Sequence, residues 1–386
     1  MIEMAWKFGV FVSVIFLAIL IRKIQIKIEK VRLPPGYTFN DENCVLVGQG
    51  RGMVGTEDLA LGKHSVLFIT SGDLWTIFQH GPAHSAHGGI WMMDPRPGAA
   101  KDPVKLDIAG WPEGRLLHAH GFDVSNITDR MYIVNHHGDH SSVEVVSIQY
   151  GGAGVRLEYV TSISSPLFPV MGINDVVELD RDHVYVTQWQ VWGFPVQGKQ
   201  HPSTVLETLK LMTELPINLL GLKFTRVFLC TVETSDCVAA SDEVFVGANG
   251  MTINSARDTV FVNDPTEKKI SVMKVQESLQ LIKESEIKLP VAADNIEYDD
   301  EADEILIGTI PDMMAVAQGE GNPEVRVPGG MALASRHEAG GWRVRDVLEH
   351  DGSKLDQISA ASRYAGTVIL GSPHDEGVLV CDNVKY

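Results

Sequence analysis

The sequence predicts an all-β fold, a six-bladed β-propeller, with an N-terminal hydrophobic anchor helix and one short amphipathic helix added to it. Three observations carry the prediction. One strand signal recurs six times, 36 Gly and 18 Pro supply many turns, and the 44% apolar content can fill a sizeable core. Behind the leader about 340 residues remain, which suits one large all-β domain or two smaller ones rather than a small sandwich.

The leader comes first. Phe8 to Ile21 reads FGVFVSVIFLAILI, an uncharged run between Lys7 and the pair Arg22-Lys23. Its length is that of a signal-peptide core or a short span, and no small-x-small cleavage signal follows. Residues 1–30 therefore read as an uncleaved signal anchor with a basic linker, and residues 31–386 as the propeller. Arg22, Lys23, Lys27 and Lys30 follow the run, and by charge alone they would keep the body in the cytosol. Two features point the other way. Asn126-Ile127-Thr128 is an N-glycosylation sequon, and a cysteine pair near the two chain ends suits an oxidising compartment.

The recurring signal is a polar turn followed by β-branched or aromatic residues. It stands at His64–Ile69, Arg130–Val134, Asp182–Val186, Asp258–Val262, Asp303–Ile307 and Gly366–Leu370. A β-sandwich also repeats strand signals, but six similar copies favour six similar sheets. Ile270–Val275 follows the fourth copy as a further strand, which gives the meander a blade needs. Ser203 to Lys223 departs from this texture. Thr204 and Glu207 form a capping box, and Val205, Leu206, Leu209 and Met212 recur at helical spacing until Pro216. This insertion, about 201–223, reads either as a helix packed on the rim or as an amphipathic lid that touches lipid or covers a site.

The net charge of −18 excludes a nucleic acid partner. None of the four cysteines, Cys44, Cys230, Cys237 and Cys381, forms a C-x-x-C pair, so a structural zinc is not expected. From spacing alone, Cys44 and Cys381 read equally as a bridge or as two buried thiols. No G-x-S-x-G elbow, P-loop or G-x-G-x-x-G is present.

Chemistry-bearing residues gather before apolar strands. Glu57-Asp58 precedes Leu59-Ala60-Leu61, Asn174-Asp175 precedes Val176-Val177, Asp294-Asn295 precedes Ile296, and Asn249 precedes Gly250-Met251. Each alone reads as a turn residue. At the channel mouth of a propeller they would converge as an all-oxygen donor set that suits calcium. Asp58 and Asp175, pointing the other way by strand alternation, could hold a second cation deeper in the channel. His118, His120, His136, His137 and His140 offer groups that titrate near neutrality.

Gly55-Thr56-Glu57-Asp58-Leu59, His120-Gly121-Phe122, Asn135-His136, Ile173-Asn174-Asp175-Val176, Ala248-Asn249-Gly250 and Ala293-Asp294-Asn295-Ile296 resemble the paraoxonase/arylesterase family in order and spacing. The resemblance runs from about Leu33 to the C-terminus. It implies a six-bladed propeller with two calcium ions. Glu57, Asn174, Asn249, Asp294 and Asn295 match the ligands of the catalytic ion. Asp58, Asp175 and the Phe122 carbonyl match those of the structural ion. His120 and His136 match the histidine dyad, with His120 as general base and His136 as relay. Cys44 and Cys381 match a disulfide joining the chain ends. The helix at 203–223 matches one that associates with membrane over the active-site mouth. The implied activity is hydrolysis of lactones and aryl esters by a membrane-anchored enzyme of the endoplasmic reticulum lumen or cell surface, or a secreted one. Thr309-Ile310 departs from the Cys and His of vertebrate members, which bears on aryl esters and organophosphates more than on lactones. Cys230 and Cys237 are extra, and either bridge locally or stay free. The competing expectation is a catalytically weak membrane chaperone for channel assembly, since some invertebrate relatives look like such proteins.

Overall fold

The computed structural model describes residues 32–385, apart from 35, 75, 78–83, 86–87, 138, 153, 194–216, 218–219, 320–323 and 338–339. The anchor expected over 1–30 and most of the helix expected over 203–223 lie outside the described residues. Among those described, no helix is long and apolar enough to cross a membrane.

Six antiparallel sheets form the body. Blade one is β2 (Leu59–Leu61), β3 (Leu67–Ser71), β4 (Gly89–Met93) and β5 (Val104–Leu106). Blade two is β7 (Ala119–Ser125), β8 (Arg130–His136), β9 (Ser141–Gly151) and β10 (Gly154–Ile163), with the short β6 (Ile108–Ala109) added in parallel to its outer edge. Blade three is β11 (Ile173–Glu178), β12 (His183–Gln188), β13 (Val227–Thr231) and β14 (Cys237–Ala239). Blade four is β15 (Met251–Ile253), β16 (Thr259–Asp264), β17 (Lys269–Val275) and β18 (Leu281–Lys288). Blade five is β19 (Ala292–Asp299), β20 (Glu304–Ile310), β21 (Gly329–Arg336) and β22 (Trp342–His350). Blade six is β23 (Ala360–Tyr364), β24 (Thr367–Gly371) and β25 (Val378–Cys381), completed on the outside by β1 (Cys44–Val47).

The first strands of the blades touch in a closed ring, β2 to β7, β11, β15, β19, β23 and back to β2. Each of the six recurring strand signals lands on the second strand of one blade. These strands carry consecutive apolar residues because they are buried on both faces, sandwiched between neighbouring blades. Between blades two and three, for example, Tyr132, Val134, Val143 and Val145 meet Ile173, Val176, Val184 and Val186. Six such clusters fill the six blade interfaces. Each fully buried aliphatic side chain in them contributes about 2 kcal/mol.

β1 pairs with β25 in register, so strands from opposite ends of the chain close the ring within one blade. Cys44 faces Cys381 in that register, and the two form a disulfide. Cys230 and Cys237 face each other across β13 and β14 and form a second one. Asn126 is exposed in the turn between β7 and β8. The neighbouring Thr128 hydroxyl donates to the buried Glu178 at 2.5 Å.

Candidate functional site

Three of the ring strands carry bulges at the positions the sequence singles out. On β7, β11 and β19 two residues oppose a single residue on the next strand. The pairs inside the bulges are His120-Gly121, Asn174-Asp175 and Asp294-Asn295. A bulge leaves one residue without a ladder partner and re-aims its side chains, which is how a strand delivers polar groups to a hub. Side-chain hydroxyls replace the missing ladder bonds. Thr187 Oγ1 accepts the Asp175 N–H at 2.9 Å, and Thr70 Oγ1 accepts the Asp58 N–H at 3.0 Å. Gly121 is glycine for lack of room, because a Cβ there would lie 2.5 Å from Asp175 Oδ1.

The upper donor set, buried apart from the half-buried Asp294, is cross-linked between blades. Asn295 Nδ2 donates to Glu57 Oε1 at 2.8 Å and to the Glu57 carbonyl at 3.0 Å. Ser359 Oγ donates to the same carbonyl at 2.7 Å. Asn249 Oδ1 accepts the Gly250 N–H at 2.6 Å. Glu57 Oε2, Asn174 Oδ1 and Asn295 Oδ1 are buried with no hydrogen-bond partner. Each such orphan oxygen costs about 1–3 kcal/mol. Burial, then the nearby Asp294 and Asp58, push the Glu57 carboxyl well above the usual carboxylate range. Burial likewise raises Asp294 to about 7, against an opposing hydrogen bond from Asn249. Crowded carboxylates and unsatisfied carboxamide oxygens, with no sulfur, are the donor chemistry of a hard divalent cation such as calcium. The upper set fits that group.

Beside it, Asp58 and Asp175 have equivalent bonding in blades one and three. Asp58 accepts N–H bonds from Leu59 at 2.9 Å and from Phe122 of blade two at 3.0 Å. Asp175 accepts from Val176 at 2.7 Å and from Met251 of blade four at 2.6 Å. Each thus staples its blade to the next around the ring. Burial raises Asp58 to about 7, and burial plus the Asp58 charge raise Asp175. Asn174 and Asp175 lie together inside the β11 bulge, whereas Glu57 and Asp58 precede β2, whose ladder is regular. Asp123 and Glu297, both raised by burial, extend the acidic column. The sequence reading missed them because neither belongs to a motif.

His120 and His136 meet. His120 Nδ1 lies 2.9 Å from His136 Nε2, and His136 Nδ1 lies 3.0 Å from Ser141 Oγ. His120 Nε2 lies 3.2 Å from Asn174 Nδ2 and 3.6 Å from Glu57 Oε1, so the dyad abuts the upper donor set. Burial pushes His120 down to about 3 and His136 well below its ordinary value, so both rings are neutral. A neutral imidazole with a free lone pair accepts a proton from water. Trp189 stands edge-on to His120, with centroids 6.0 Å apart. Of the other histidines, His118 Nδ1 lies 3.0 Å from the His136 carbonyl, and His137 lies 3.2 Å from Glu144. His140 is exposed beside Asp139.

Glu144 was not foreseen either. Arg115, Asn135, His137, Ser142 and Ser162 all reach its buried carboxylate. Burial would raise its pKa, but the hydrogen bonds outweigh it and hold the group down at about 2. It anchors the strand end that carries His136. A second acidic group, Asp41, His350 and Asp351, also has metal-like spacing. There the His350 ring is already engaged, with Nδ1 2.9 Å from Asp41 and Nε2 accepting the Leu355 N–H at 3.1 Å. Lys354 shares Asp41 at 3.1 Å, so this cluster is an ion-pair clamp on the N-terminal segment.

Fold and site together define a six-bladed propeller with buried oxygen donors and a histidine pair at its hub. The sequence profile of the Arylesterase family matches residues 41–382. Human serum paraoxonase/lactonase 3 is 27% identical over 340 residues, covering 86% of each chain. Bovine serum paraoxonase/arylesterase 2 is 24% identical over 358 residues, covering 91% of this chain and 89% of the relative. Among solved structures, a gluconolactonase from Xanthomonas campestris has a TM-score of 0.47 at 10% identity, covering 91% and 99% of the two chains. A luciferin-regenerating enzyme has the same TM-score at 8% identity, covering 88% and 95%. The chain belongs to the Arylesterase family, whose curated relatives are ester and lactone hydrolases.

Proposed function

We propose that this protein is a calcium-dependent hydrolase of carboxylic esters, chiefly lactones. One observation carries the reading: the partnerless oxygens Glu57 Oε2, Asn174 Oδ1 and Asn295 Oδ1 adjoin a neutral histidine pair. Glu57, Asn174, Asn249, Asp294 and Asn295 would hold the catalytic ion. Asp58, Asp175 and the Phe122 carbonyl would hold a second, structural one. Bound at the upper set, calcium supplies Lewis-acid polarisation of the substrate carbonyl and charge compensation for the developing oxyanion. His120 Nε2 takes the proton of the attacking water, and His136 shares the charge through its 2.9 Å contact with His120. Lactones suit the site because ring opening keeps the leaving alkoxide in the same molecule. Buried Thr309 and Ile310 line the end of β20, which disfavours organophosphate turnover relative to lactone opening.

The test is hydrolysis of an aliphatic lactone panel with and without EDTA. Turnover should vanish with chelator and return with calcium. Protons compete for Asp58 and Asp294, whose carboxyls are raised to about 7, so the calcium needed should rise as pH falls below that value. Failure of the folded, calcium-loaded protein to open any lactone would overturn the reading.

The propeller faces the lumen or the cell exterior, held to membrane by the anchor at 1–30 and by the segment 203–223. Two disulfides and the exposed Asn126 support this side. Leu220 and Leu222 at the end of that segment and Phe224 just after it, 42–51% exposed, support lipid contact. In secretory cells the full chain should pellet with membranes and lose mass on endoglycosidase treatment, and Asn126→Gln should remove the shift. A soluble or unglycosylated wild type would refute the placement.

A further inference from the structure

We propose that Ser141 is a positioning residue that fixes which nitrogens of the dyad carry protons, leaving His120 Nε2 as the unprotonated nitrogen. The assignment follows from hydrogen-bond direction at both ends of one buried chain. At the far end, Ser141 Oγ accepts the Met171 N–H at 2.9 Å, and a backbone N–H can only donate. The Pro169 carbonyl, 3.3 Å from the same oxygen, can only accept, so it takes the hydroxyl proton. Ser141 therefore meets His136 Nδ1, at 3.0 Å, as an acceptor. His136 then carries its proton on Nδ1 and offers the Nε2 lone pair to His120 Nδ1–H, 2.9 Å away. That leaves His120 Nε2 unprotonated. The near end gives the same answer independently. Asn174 turns Nδ2 towards His120 Nε2 at 3.2 Å and leaves its buried Oδ1 with no hydrogen-bond partner. An amide N–H donor there requires a bare ring nitrogen.

The turn that holds Ser141 is itself constrained. Met171 has φ +54°, a left-handed conformation uncommon for a side chain of this kind. Its N–H is tied to Ser141, and its carbonyl accepts the Trp189 indole N–H at 3.2 Å. Its side chain packs with Leu74 and Ile77. Strained residues persist where their surroundings over-determine them, most often at functional sites. Here the strained turn links Ser141 to Trp189, the ring against His120, so one segment braces both histidines.

The catalytic consequence rests on the proposed hydrolase function, whereas the tautomer assignment does not. The test is a long-range proton–nitrogen correlation spectrum of the calcium-loaded protein carrying nitrogen-15 histidine, with His136 assigned by its loss in His136→Gln. In the wild type, His136 should be the Nδ1–H tautomer. In Ser141→Ala it should become a mixture, with lactone kcat down about ten- to a hundredfold, KM within about twofold, and both restored in Ser141→Thr. An Nε2–H tautomer in the wild type would overturn the assignment, and that measurement needs no variant to fold. An unchanged tautomer in folded Ser141→Ala would also overturn it. If the tautomer behaves as expected but the wild type opens no lactone, the hydrolase reading falls and the Ser141 assignment stands.

Discussion

Asp294→Asn should lower lactone turnover by about a thousandfold or more while leaving the propeller folded. Asp294 and Glu57 are the two carboxylates of the upper donor set. Removing one halves its formal negative charge at almost unchanged volume. The fold should tolerate the change because Asp294 is costly without a cation. Burial raises its carboxyl to about 7, and its charge is the largest electrostatic push on Glu57. A carboxyl raised on folding contributes stability that is full below its unfolded value and is lost as pH rises through its folded value. The wild type in EDTA should therefore lose stability between about pH 4 and 7, and the Asn variant should lose less of it. The two proteins separate in calorimetry. Calcium should raise the wild-type melting temperature clearly and that of the variant only weakly. Wild-type turnover in Asp294→Asn, or an equal calcium response, would remove the upper set from the chemistry.

The parts of this molecule that were legible in its sequence are those that local physics alone determines. The second strand of every blade announced itself because it is buried on both faces and follows a tight polar turn. Arg130–Val134 and Asp258–Val262 are such runs, lying in β8 and β16. The first strands were legible only as short apolar runs behind polar dipeptides, as at Leu59–Leu61 and Val176-Val177. β2 and β15 are three residues long, and β7, β11 and β19 are broken by polar bulges. Those interruptions were nevertheless visible as the dipeptides Asn174-Asp175 and Asp294-Asn295. What the sequence could not supply is their convergence, which needs the closed ring. Ser141, Glu144 and Trp189 stayed hidden for a different reason. Their roles depend on hydrogen bonds between separate elements, such as Ser141 to Met171 across 30 residues, Arg115 to Glu144 across 29 and Trp189 to Met171 across 18, and no motif marks them. The state of Cys230 and Cys237 was open because a spacing of seven fits a hairpin bridge or two thiols equally. The direct pairing of β13 with β14 decides it.

Cys44→Ser should be the most destabilising single change outside the blade cores, lowering the melting temperature in non-reducing buffer by about 10 °C. The reason lies in how the ring closes. β1 is a four-residue outer strand with Val45 58% exposed, held to β25 by one short ladder. All other strands of blade six come from the opposite end of the chain. The Cys44–Cys381 bond spans 337 residues, and in the chain-entropy model such a loop constrains the unfolded state by about 5–6 kcal/mol, an upper figure. The second bond spans only 7 residues and is worth about 2 kcal/mol on the same scale. Cys237→Ser should accordingly cost less than half as much, and reduced wild type should melt with the double variant. Serine at 44 also leaves Cys381 as a buried thiol in the cluster shared by blades five and six, a small cost beside the lost closure. Equal melting temperatures for Cys44→Ser and wild type would mean that the β1–β25 ladder and its packing close the propeller unaided. A larger loss for Cys237→Ser than for Cys44→Ser would mean that strain at the β13–β14 hairpin, rather than loop length, sets the scale.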